Sequence, residues 1–156
     1  MAFRITGLPA GQFRRYYGLS DSRLAEHGVI RMTADSNPGF PDRIEMRDVE
    51  VGESALLLNH ECQPARTPYR ATHAIFVREG AEVAYDTIDE VPPVMRLRLL
   101  SLRAYDLAGM MQDADVIDGR AAETLIERFF ANPRVAYIHA HNAKQGCYSG
   151  RIDRTP

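Results

Sequence analysis

The chain has 156 residues, 45% of them hydrophobic and 26% charged, with a formal net charge of -2 and two cysteines. That balance excludes a disordered chain, an overall basic nucleic-acid binder and a disulfide framework, and a four-cysteine zinc site is excluded by count. The length is that of one domain, 1–156, with no internal linker, and it buries enough surface to fold without a disulfide or metal staple. No long apolar run offers a membrane span, and the opening MAFRITGLPAGQFRRYYG lacks the apolar core of a signal peptide. The expectation is a cytoplasmic protein that binds neither nucleic acid nor membrane.

In chain order, FRIT at 3–6 alternates as a first strand. Ser20 to His27 reads as a short helix, with Ser20 or Ser22 as cap and Gly28 at its left-handed end. Val29 to Thr33 follows as a strand. Asn37-Pro38-Gly39-Phe40-Pro41 is a rigid turn, after which Arg43 to Arg47 alternates like a half-buried strand. Ser54 to His60 is apolar on both faces at first, as a central strand is. Pro64 to Pro68 is a loop, and Thr72 to Val77 is a strong strand. Residues 80–93 are acidic and turn-like. Alternation resumes at Arg96 and slips at Leu99-Leu100, which suggests a bulge before the strand continues to Tyr105. Asp106 to Gly109 closes a hairpin onto 110–117. The clearest helix is 119–131, capped by Asp118, with Ala122, Leu125, Ile126 and Phe129 on one stripe. Val135 to His141 is the last expected strand, and Asn142 to Gly150 is a loop. The class is therefore α+β, a mainly antiparallel sheet with one short and one longer helix packed against it.

Chemistry-bearing side chains gather in YIHAHNAKQGCYSGR at 137–151. On a strand, Tyr137, His139 and His141 share a face, and the two histidine Cα atoms lie roughly 6.6 Å apart. Such a pair can converge on one ion, so a divalent metal is geometrically allowed. A third ligand would then be needed from His60, His73, Cys62, Cys147 or a carboxylate such as Asp35. No cofactor is otherwise expected, and a face of hydrogen-bonded, partly buried histidines is the simpler alternative. Cys147 sits in the polar loop, where a neighbouring histidine would favour its thiolate as a nucleophile. Lys144, the single lysine among 19 basic residues, and Arg151 are able to bind an anion. The second focus is 62–73, where Arg66 and Arg70 flank Tyr69 and His73 enters a strand. That loop can hold a carboxylate or phosphate.

Three stretches, ARTPYRATHAIFVREGA (65–81), RLLSLRAYD (98–106) and YIHAHNAKQGCYSGRIDR (137–154), resemble an uncharacterised bacterial family, the domain-of-unknown-function family numbered 1203. The resemblance implies a small stand-alone bacterial protein and carries no activity or catalytic residue with it.

Two classes of function remain open. In the first, a small-molecule enzyme or ligand-binding protein joins segments 62–73 and 139–151 in one site. His73, His139, His141 and Cys147 would supply catalytic groups there. Arg66, Tyr69, Arg70, Asn142, Lys144 and Arg151 would bind a small anionic ligand. In the second, a non-catalytic interaction or assembly protein uses the same residues structurally. The first requires the two segments to touch.

Overall fold

The computed structural model describes residues 2–156. Its strands are β1 (Phe3–Thr6), β2 (Ile30–Thr33), β3 (Ser54–Gln63), β4 (Ala71–Arg78), β5 (Asp86–Ile88), β6 (Leu99–Tyr105), β7 (Met111–Asp118), β8 (Tyr137–Asn142) and β9 (Tyr148–Arg154). Its α-helices are α1 (Asp21–Glu26), α2 (Pro93–Arg96) and α3 (Ala122–Phe130). The expected α+β class holds, but the strands divide between two sheets. A six-stranded sheet runs β5-β1-β9-β8-β6-β7 and a three-stranded sheet runs β2-β3-β4. All strand pairings are antiparallel.

Alternation decides what covers each face. On β6 and β8 one set of side chains, Leu100, Leu102, Ala104, Ile138 and Ala140, packs against Leu125, Ile126, Phe129 and Phe130 of α3. The opposite set, including Arg103, Tyr105, Tyr137, His139 and His141, lies on the other face by the same alternation. The three-stranded sheet brings Leu56, Leu58, Cys62, Ile75 and Val77 to a second core that includes Tyr148 of β9. Helix α1 starts where expected, with Ser20 Oγ accepting from the Arg23 amide at 3.3 Å. The long helix begins later than its pattern indicated. Asp118 caps a single 3-10 turn, Gly119–Ala121, before α3 starts. Gly119 is required by packing, because a Cβ there would overlap the carbonyl oxygen of Met95.

Three local expectations are corrected. Residues 43–47 form no strand. Pro41 to Asp48 is a bent strap bridging to β4 at Phe76, with Arg43 and Ile44 carbonyls accepting from Leu8 and Tyr85 amides. Met46 takes a positive φ of 56° inside it, which no strand residue does. The slip at Leu99-Leu100 marks a change of element: Arg96 ends α2, the strand starts at Leu99, and the β6–β7 irregularity lies at Ala104/Tyr105. Finally, the strand expected at Val135 to His141 is present as β8, but it is not the last. Residues 143–147 form a tight hairpin, and Tyr148–Arg154, read as loop up to Gly150, becomes the central strand β9.

Candidate functional site

The β8–β9 hairpin builds one wall of the site. Asn142 N donates to Cys147 O at 2.9 Å and Gly146 N donates to Asn142 O at 2.7 Å. Gly146 holds φ 78°, which suits glycine and lets the turn close in five residues. The turn fixes His141 as well. Its Nδ1 lies 2.9 Å from Gly146 O, and since a carbonyl only accepts, the proton sits on Nδ1.

Strand β4 supplies the facing wall. His73 shares the inner face with Ile75 and Val77, as alternation requires, and its ring lies 4.9 Å from that of His141, edge on. The 62–73 and 139–151 segments therefore meet. Around them runs a seam of rings. His139 is 5.2 Å from each of Tyr105, Tyr137 and Tyr148. His60 contacts Phe13 and Tyr148 at 6.1 and 6.2 Å. Burial sets the charge of these imidazoles. It pushes His139 down to about 3, helped by His141, Arg151 and Arg103, and His141 down to about 4 against the opposing bond to Gly146. His73 and His60 are lowered by burial too. His139 and His141 are therefore neutral at neutral pH. His139 Nδ1 and His73 Nε2 are buried with no hydrogen-bond partner. The rings of His139 and His141 stand 6.5 Å apart, and among the described residues no group of three His, Cys, Asp or Glu side chains is placed to hold a metal ion.

The strap of residues 41–48 delivers the group that sequence reading missed. Arg43 is 2% exposed. Its Nε donates to Tyr148 O at 2.8 Å, one Nη to Pro41 O at 2.6 Å, and the other Nη to Cys147 Sγ at 3.1 Å. Burial lowers this guanidinium below its ordinary value, and Cys147 is the strongest influence opposing that. Among the described residues no carboxylate forms an ion pair with it. Asp42 beside it is spent on the amides of Arg78 and Glu45, and burial raises its carboxyl. Asn142, 3% exposed, donates its Nδ2 to the same sulfur at 3.6 Å, while its Oδ1 is buried without a partner. An arginine in an alternating RIEMR run gives no warning of such burial. The only hint is the Pro-Gly-Phe-Pro turn just before it.

Arg43, Cys147, Asn142 and His73 share a cavity of about 460 Å³ with Arg98 and Gln145. Phe76, Leu57, Leu97 and three prolines or small residues at 38–41 give it apolar walls, and among the described residues no acidic side chain lines it. Arg98 is neutralised by Asp48, with contacts of 2.6 and 3.0 Å. The volume suits a small organic ligand.

The other expected ligand-binding residues lie elsewhere. Arg66 and Tyr69 are exposed on the 64–70 loop, with Tyr69 against Tyr105 at 6.2 Å. Arg70 pairs with Glu61 at 3.0 Å. Arg151, on β9, holds Asp153 and stacks on Tyr137 at 4.1 Å. Lys144 is exposed on the hairpin and lines a smaller neighbouring hollow with Asn142 and Gln145. No helix among the described residues is long and apolar enough to cross a membrane.

No curated protein and no solved structure matches the chain. One family does match, over residues 39–154, a span that holds Arg43, His73, Asn142 and Cys147. The chain belongs to that family, described as Protein of unknown function (DUF1203).

Proposed function

We propose that the chain is a small-molecule enzyme or ligand-binding protein whose reactive group is the thiolate of Cys147. The observation that carries this reading is Arg43, a buried guanidinium whose only side-chain hydrogen bond goes to the Cys147 sulfur. A buried cation needs a compensating charge, and the sulfur is the one side-chain atom hydrogen-bonded to it that can supply one; Asp42 acts on it only through space and gives its oxygens to the Arg78 and Glu45 amides. Hydrogen bonds from a charged donor contribute roughly 1.5–3 kcal/mol. A second donor, Asn142, reaches the same atom. A thiolate is the nucleophilic form of cysteine, and this one opens onto a cavity of ligand size. His73, in the cavity wall and lowered by burial, is an acid–base group available to a leaving group or an incoming water. The chemistry calls for neither metal nor cofactor. Both cysteines are free, and a reactive thiol suits a reducing compartment, in keeping with a cytoplasmic location.

Brief alkylation of the native chain at neutral pH, followed by peptide mass analysis, tests the reading. Cys147 should be modified well before the buried Cys62, and Arg43→Lys, which keeps the charge but loses the planar fork, should slow Cys147 about tenfold. Equal rates in the parent and the variant would remove the support for a thiolate held by Arg43.

A further inference from the structure

We infer that the electrophile accepted by Cys147 is an anion, a carbon electrophile carrying a carboxylate. This rests on the thiolate reading above and follows from what bond formation does to charge. When the thiolate attacks carbon, an S–C bond forms, the bond to the leaving group breaks, and the leaving group departs with its electron pair. The sulfur ends uncharged. Arg43 stays buried and has then lost its counter-charge.

Nothing in the cavity replaces that charge. Among the described residues no Asp or Glu lines it; Asp48 is held by Arg98, and Asp42, which acts on Arg43 only through space, gives its oxygens to the Arg78 and Glu45 amides and has its carboxyl raised by burial. A neutral electrophile would therefore leave a bare guanidinium beside a thioether. An electrophile that brings its own carboxylate restores the pair. Arg43 has donors for it, since three of its bonds are made and a guanidinium carries five N–H groups. Arg103, next to His139 across the β6–β8 register, adds positive potential at His73 in the cavity wall; its side chain bonds Ser101 Oγ at 3.4 Å, and among the described residues no carboxylate pairs with it. A second feature points to a ligand independently of the sulfur. Asn142 is 3% exposed, lines the cavity, and has a buried carbonyl oxygen with no donor. A protonated or N–H-bearing group of the ligand would satisfy it. The walls of Leu57, Phe76 and Leu97 would take an apolar body.

Iodoacetate and iodoacetamide differ in the charge they leave on the sulfur, so they separate the outcomes. Rates at Cys147 in the native chain are divided by rates in the urea-unfolded chain, which removes the intrinsic difference between reagents. The corrected rate for iodoacetate should exceed that for iodoacetamide about fivefold or more. The carboxymethyl product should melt at least about 4 °C above the carbamidomethyl product. A corrected ratio of one or below, with equal melting points, overturns the inference while leaving a reactive thiolate in place. If neither reagent modifies Cys147, the thiolate reading itself fails. The charge requirement is then read from substitutions: Cys147→Asp should melt above Cys147→Asn, and equal melting points would overturn it independently of reactivity.

Discussion

Acid should open this molecule along the histidine seam, in a pH window well separated from that of its carboxylates. His139 and His141 are 3% and 1% exposed, and their folded values are about 3 and about 4. In the unfolded chain each titrates near 6.5. The folded values are lowered, so the unfolded state binds protons first, and stability falls as pH drops below about 6.5. At pH 5 both rings are still neutral when folded, so each loses about 1.5 pH units of proton binding. That is about 2 kcal/mol per ring and about 4 kcal/mol together. Against the 5–15 kcal/mol typical of a native domain, this is a large fraction. His60 and His73, also lowered by burial, act in the same direction. Carboxylates held low by arginine, such as Asp118 at about 2 and Glu79, lose their contribution only as pH falls toward 4 and below. Urea unfolding at pH 7 and pH 5, followed by tyrosine fluorescence, measures the loss, since the chain has seven tyrosines and no tryptophan. The His139→Gln/His141→Gln variant should show most of the pH dependence removed. A parent protein equally stable at both pH values would refute the reasoning, as would a double variant with an unchanged slope.

Other outcomes follow from the packing. Gly119→Ala should cost about 3 kcal/mol, because its Cβ would overlap the backbone oxygen of Met95, which cannot rotate away as a side chain can; a thermal melt within about 1 °C of the parent would contradict the geometry. Phe129→Ala, at the centre of the α3 face, should cost about 3–5 kcal/mol by chemical denaturation.

Much of the fold was legible because the relevant signals are local. The stripe of Ala122, Leu125, Ile126 and Phe129 gives α3, and the β-branched run at 72–77 gives β4. The His139/His141 face follows from strand period alone. Strand β9 was not legible. Ser149, Gly150, Arg151 and Asp153 are poor strand formers by composition, yet the segment pairs on both edges and buries Tyr148 and Ile152. Its two neighbours enforce the extended conformation, so context overrides propensity. Arg43 to Arg47 failed in the opposite sense. The alternation is genuine, but contacts to β4, Leu8 and Tyr85 bend the segment into a strap. The site was half legible for the same reason. His73, His139, His141, Asn142 and Cys147 stood out by type and spacing, whereas Arg43 reaches Cys147 from 104 residues away, and no local pattern records that approach.

The most direct measurement is the ultraviolet difference spectrum of the native chain minus Cys147→Ser at neutral pH. The thiolate reading expects a thiolate band corresponding to one sulfur per chain, lost when Arg43 is replaced by methionine in a variant whose circular dichroism matches the parent. A flat difference spectrum at neutral pH, with both proteins folded, would contradict it, because Arg43 would then be buried beside a neutral thiol.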